Sequence, residues 1–177
     1  MTSHRLLATL VMLLSTIPLC LASESLSLDQ AWARATRPSG SVGAAYLTIT
    51  NSTDQDRAVV TGSASAAGRI ELHTHIMEDD VMRMVEIPEI PLPAGEQVVL
   101  KPGDLHIMLY ELESALRVGE TFDLHLELDD GSVLEATVVI GSATARDFAE
   151  AKEHAHDSEQ QGETAEDDAA DCCGTGS

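Results

Sequence analysis

Between Leu26 and Ile140, apolar and polar residues alternate in short runs, and turn residues interrupt the alternation every ten or so positions. A period of two with that spacing predicts an all-β sandwich or barrel. Strands are expected at residues 26–33, 43–51, 58–64, 70–77, 81–87, 97–100, 106–112, 121–128 and 133–140. The breaks between them carry turn chemistry. Pro38-Ser39-Gly40, Asn51-Ser52-Thr53-Asp54, Glu78-Asp79-Asp80, Pro102-Gly103-Asp104 and Asp129-Asp130-Gly131 supply fixed or positive φ angles or Asx-type hydrogen bonds. Three prolines between Pro88 and Pro93 make that segment an extended connector or edge rather than an interior strand. In residues 121–128, Phe122, Leu124, Leu126 and Leu128 fall on one face and Asp123, His125 and Glu127 on the other. One side is buried and the other wet, so His125 reads as a solvated histidine rather than a ligand.

The two ends differ from this middle. Residues 1–22 carry His4 and Arg5, an apolar run from Leu6 through Leu14 broken only by Thr9, then Pro18 and the small Ala22 before Ser23. That is the pattern of a secretory signal peptide. Its apolar run is too short to span a bilayer, and no later stretch approaches the roughly 20 apolar residues a spanning helix needs, so membrane insertion is not expected. Lipid attachment at Cys20 is disfavoured by the bulky Leu19 before it. With the leader gone, the cysteines are Cys172 and Cys173, both at the far C-terminus, so packing rather than a disulfide must hold the domain. Residues 23–142 form the expected domain. Residues 143–177 are expected to hold a short helical turn with Phe148 as its one large apolar anchor, then a disordered acidic tail. The formal net charge of −20 argues against nucleic acid as a partner and favours cationic metals or basic surfaces, although acidity also serves solubility alone.

The chemistry is concentrated between Glu71 and Leu112, where Met77, Met82, Met84 and Met108 occur with His73, His75 and His106. Residues i and i+2 of a strand share a face with Cα atoms roughly 6.5 to 7 Å apart, so His106 and Met108 can close on one ion while Ile107 and Leu109 face the core. The same spacing pairs His73 with His75 and Met82 with Met84, and a turn at residues 78–80 sets these pairs on neighbouring strands. A thioether is neutral and soft, which suits Cu(I) better than Zn(II) or Cu(II). A blue-copper electron-transfer site needs a cysteine thiolate, and residues 23–148 contain none. Taken singly, each methionine reads more readily as filling a gap in the core than as a ligand, and it is the combination that points to metal.

The spacing of four of these residues, His73, Met84, His106 and Met108, reproduces a His-x10-Met-x21-His-x-Met pattern. In this the chain resembles the periplasmic copper chaperone family called PCuAC. Glu71-Leu72-His73-Thr74-His75, Val81-Met82-Arg83-Met84 and the run from Leu100 through Leu109 resemble the family around those positions. Ala31-Trp32-Ala33-Arg34 and the run from Ala44 through Asn51 resemble its first strands. The resemblance implies a cupredoxin-like Greek-key β-sandwich binding Cu(I) through His73, Met84, His106 and Met108. It further implies a periplasmic carrier that passes copper toward the CuA centre of cytochrome c oxidase subunit II, directly or with Sco-type thiol proteins. Asp104 stands where many relatives have glycine, and Tyr110-Glu111 where Met-Gly is frequent. Neither change is expected to touch a ligand, though a carboxylate at position 104 could tune affinity.

His75, Met77 and Met82 are additional donors, either structural or part of a second, transient copper position. In the tail, His154, His156 and Asp157 would suit Cu(II) and vicinal Cys172-Cys173 would suit Cu(I), against the alternative of an inert segment. Catalysis is not expected. Oxygen chemistry on copper calls for imidazole-rich ligation, the mature N-terminus near Ser23 offers no histidine, and no Ser-His-Asp or paired-carboxylate pattern stands out. A metal-free interaction sandwich, or a copper-storage or resistance protein without a delivery role, is the alternative class.

Overall fold

The computed structural model describes residues 25–153 and Ala155. The expected leader, Cys20 and the tail donors His154, His156, Cys172 and Cys173 lie outside the described residues. Ten strands follow in chain order: β1 (Leu26–Arg34), β2 (Val42–Asn51), β3 (Arg57–Ala64), β4 (Ala67–Glu78), β5 (Val81–Glu86), β6 (Ile90–Leu92), β7 (Gln97–Leu100), β8 (His106–Leu112), β9 (Thr121–Leu128) and β10 (Val133–Gly141). Each run expected from alternation is a strand. The proline-rich connector contributes one more, β6, which pairs only with β3 and ends the sheet, the position proline tolerates.

The strand order β4-β8-β2-β1-β10-β9-β3 closes on itself where Ala64 of β3 meets Ala67 of β4, with β5 flanking β4 and β6 flanking β3. β1 and β10 run parallel, and the other pairs are antiparallel. β2 pairs with β8 through its first half and with β7 through its second, which turns the corner of the sandwich. The architecture is thus the all-β sandwich that the alternation predicts.

The inner faces bury Leu47, Ile49, Leu100, Ile107, Leu109, Leu124, Leu126, Leu128 and Ile140 almost completely. On β9 the predicted face is buried, and His125 lies on the wet side opposite Glu135. Asn51 is 1% exposed, yet its four side-chain hydrogen bonds are all made: Nδ2 donates to the carbonyls of Gln55 and Leu92, and Oδ1 accepts from the Thr53 N–H and hydroxyl. A polar group can be buried there because nothing on it is left without a partner.

A second, smaller cluster lies on the outer face, where Trp32, Tyr46, Ala145 and Ala151 are buried against Ala44 and Phe148. A β-bulge creates it. The register of β1 against β2 shifts between Asp29 and Trp32, Gln30 takes φ 52°, and Trp32 arrives opposite Tyr46. A short helix, α1 (residues 148–153), covers the pair. Asp147 caps it, its carboxylate accepting from the Glu150 N–H at 2.9 Å. Arg34 fastens the approach by donating to the Ala145 carbonyl at 2.8 Å. Phe148 is the anchor expected from sequence, but the deepest contacts come from Ala145 and Ala151, and Gly141 makes room for the latter.

Candidate metal centre

The outer face continues from Tyr46 onto β8, β4 and β5. Residues directly opposite in paired strands share a face. His106 of β8 is the partner of His73 on β4, and His73 in turn is the partner of Glu86 on β5. The neighbouring rung sets Ala44 of β2, Met108 of β8 and Glu71 of β4 side by side. On the opposite flank, His75 of β4 faces Met84 of β5. Ile107 and Leu109, alternating with His106 and Met108, are fully buried in the core. Strand alternation and the ladder registers therefore put His73, Met84, His106 and Met108 on one face.

A two-residue turn closes the β4–β5 hairpin. Asp79 and Asp80 have φ 52° and 61°, the paired left-handed conformation of a tight hairpin loop, which aspartate tolerates better than most residues. That turn fixes the register placing Met84 opposite His75. The Lys101–Leu105 loop performs the same service for β8. Gly103 has φ 84°, the Asp104 N–H donates to the Lys101 carbonyl, and the chain enters β8 with the Asp104 carbonyl beside His106.

The contacts are specific. His106 Nδ1 donates to the Asp104 carbonyl at 2.7 Å, and His106 Nε2 lies 3.1 Å from Met84 Sδ. A carbonyl oxygen only accepts, so the His106 proton sits on Nδ1 and Nε2 presents a lone pair. The Met84 sulfur presents lone pairs too. Two acceptors meet with no hydrogen between them.

His73 is built alike. Its Nε2 lies 2.8 Å from the Glu71 carboxylate, which accepts the proton and leaves Nδ1 bearing the lone pair, buried and without a hydrogen-bond partner. The His73 and His106 rings stand 5.8 Å apart between centroids, and His75 stacks on His106 at 5.1 Å while its Nδ1 donates a long bond, 3.4 Å, to the same Asp104 carbonyl.

Both buried rings are held neutral. Burial lowers the His73 pKa below the usual histidine value, opposed by the Glu86 carboxylate. Burial lowers that of His106 as well, opposed by its bond to the Asp104 carbonyl and reinforced by His75 and His73 nearby. Neutral imidazole is the ligating form. Among the described residues, no group of three or more His, Cys, Asp or Glu is arranged to hold a metal ion. Any convergence of donors here depends on the thioethers, a soft set.

The two methionines differ. Met108 is 9% exposed, whereas Met84, on the edge strand β5, is 46% exposed. Glu71 joins this face without belonging to the four-residue spacing. Its signal was available, since it lies two residues before His73 on the same strand and therefore on the same face. Arg69 pairs with the other oxygen of its carboxylate and stacks over Tyr110, whose ring is 6.5 Å from that of His73. The Asp104 carboxylate accepts from the Leu105 N–H and lies near Lys101, while its backbone carbonyl is the group that touches His106.

The fold is that of the PCuAC domains. The copper-bound PCuAC domain from PmoF2 superposes with a TM-score of 0.57 at 16% identity, covering 66% of this chain and 92% of that one, a likeness of fold alone. The solution structure of CuI-DR1885 from Deinococcus radiodurans superposes with a TM-score of 0.51 at 30% identity, over 67% of this chain and 78% of that one. The chain belongs to the family described as "Putative lipoprotein LpqE-like", which it matches over residues 26–140. Among curated relatives, "Putative lipoprotein Lxx21020" of Leifsonia xyli subsp. xyli is 28% identical over 133 residues, 75% of this chain and 76% of that protein. No helix among the described residues is long and apolar enough to cross a membrane.

Proposed function

We propose that this protein is a periplasmic Cu(I) carrier rather than an enzyme, its cargo held by His73, Met84, His106 and Met108. The observation carrying the reading is the 3.1 Å approach of His106 Nε2 to Met84 Sδ, two lone-pair donors whose mutual contact only a cation makes favourable. The buried, unpartnered Nδ1 of His73 on the adjoining strand agrees with it. So does the relative from Deinococcus radiodurans, whose structure is that of a Cu(I) form.

The donors are neutral, so a bound Cu(I) keeps its charge and the site never has to release a proton to load. Met108 and the imidazoles are buried, while Met84 stands at the exposed edge. The acceptor's thiolates displace the Met84 sulfur first, and ligand exchange across a docked interface completes the transfer. The acceptor in this reading is the CuA domain of cytochrome c oxidase subunit II, with Sco-type thiol proteins as partners in delivery.

Competition against bicinchoninate tests the site. The wild type takes one Cu(I) tightly, and His106→Ala with Met108→Ala weakens binding by at least about 100-fold, more than loss of an outer-shell group would. Unchanged affinity in the double variant removes the assignment. Mixing the Cu(I) form with an isolated apo CuA domain then separates a carrier from a storage protein, because only a carrier loads its partner.

A further inference from the structure

The β4–β5 hairpin carries donors that the four-residue centre does not use. Met77 and Met82 are direct Cα partners across the hairpin, and the next same-face rung toward the centre is His75 opposite Met84. Successive same-face rungs lie about 7 Å apart. The sequence of rungs is therefore thioether pair, imidazole with thioether, and then the His106 ring that Met84 already touches. Packing does not explain the outermost pair. Met77 is 64% exposed and Met82 59% exposed, so neither fills a gap in the core. Their loop adds Glu78, Asp79 and Asp80, with Arg83 engaged by Glu78, so the local charge at the tip favours cations.

We propose that Met77 and Met82, with His75 behind them, form a second soft-metal position at the hairpin tip, from which Cu(I) passes to Met84 and His106. This deepens the carrier reading and rests on it. In the passing step, a bond from the metal to Met84 Sδ forms as a bond to the Met77 or Met82 sulfur breaks. Thioethers hold no proton, so nothing is released, and the metal stays monovalent throughout. The tip is a relay on the way to the deeper centre.

Full-length protein with methyl-13C methionine tests this by titration with Ag(I), a redox-inert soft monovalent probe. Met84 and Met108 methyl signals move with the first equivalent, and Met77 and Met82 signals move with a second, weaker one. Met77→Leu with Met82→Leu abolishes the second step, keeps the first, and slows loading from a Cu(I)-bicinchoninate donor while the unfolding midpoint stays unchanged. Met77 and Met82 signals that stay still while Met84 and Met108 respond overturn the relay and leave the carrier reading intact. Movement of Met77 and Met82 alone overturns the four-donor centre and, with it, any relay toward that centre. Wild-type loading rates in the double variant also overturn the relay.

Discussion

His73 and His106 stand directly opposite each other on β4 and β8, their ring centroids 5.8 Å apart, and each has one nitrogen committed to a fixed oxygen acceptor. Those two acceptors, the Glu71 carboxylate and the Asp104 carbonyl, select the tautomer of each ring. The free lone pairs are thus oriented by the fold itself.

Glu71→Gln tests that orientation. The amide no longer insists on accepting, so His73 loses its fixed tautomer, and Cu(I) affinity falls by about 10- to 100-fold. Stability changes by less than about 1 kcal/mol, because the ion pair with half-exposed Arg69 contributes little. Bicinchoninate competition and urea unfolding on the same sample measure both. Wild-type affinity would show that the carboxylate plays no part in holding the ring.

The copper-free protein loses stability in mildly acidic solution. His73 and His106 have folded pKa values below the ordinary 6.5, chiefly through burial, while the unfolded chain titrates at the ordinary value. Between the two, the unfolded state binds more protons, so stability is fully present above about pH 6.5 and declines as pH falls toward the folded pKa values. Glu86 opposes the effect at His73, and at His106 the Asp104 carbonyl opposes it while His75 and His73 strengthen it. Urea midpoints at pH 7.5 and 5.5 should drop in the wild type and drop less in His73→Gln with His106→Gln. Parallel drops in the two proteins would place the sensitive group elsewhere.

Glu111 occupies a left-handed backbone conformation, φ 57°, at a position where the resembling family frequently has glycine. Its exposed carboxylate lies close to Gly68. Glu111→Gly relieves the backbone strain and raises stability by about 1 kcal/mol, read as a higher urea midpoint with copper affinity unaltered. A lower midpoint would mean that the side chain contributes more than the strain costs.

Gly141→Ala should lift α1 from the sheet. A Cβ there would sit 2.4 Å from Ala151 Cα and 2.5 Å from its Cβ, contacts that only movement of the backbone relieves. The cost is about 1 to 3 kcal/mol. Trp32, the only tryptophan of the chain, lies beneath the helix and reports the event as a red-shifted emission. An unshifted spectrum with native stability would show that the helix can be displaced without exposing the ring.

The strands other than β6 were legible in the sequence through their period-two signal, and β9 shows why: four apolar residues on one face specify burial without help from elsewhere. Strand alternation marks which of the candidate donors share a face, whereas the choice of His73, Met84, His106 and Met108 among them rests on the family resemblance. Long-range relations were not legible. Nothing local announces that β1 runs parallel to β10, or that β2 divides its length between β8 and β7. The Trp32–Tyr46 cluster depends on a bulge at Gln30 and on two alanines too small to stand out in a pattern. The contact of Asp104 with His106 runs through its backbone carbonyl, a group every residue type possesses and no sequence pattern marks.

Where β4 meets β8, core residues and donors occupy adjacent rungs: Leu72 and Ile107 point inward, and His73 and His106 on the next rung point outward. Folding and, in the proposed reading, cargo selection therefore draw on opposite sides of the same two ribbons. A lineage could exchange the outward set for harder or more numerous ligands, or abandon metal altogether, and still inherit an intact scaffold.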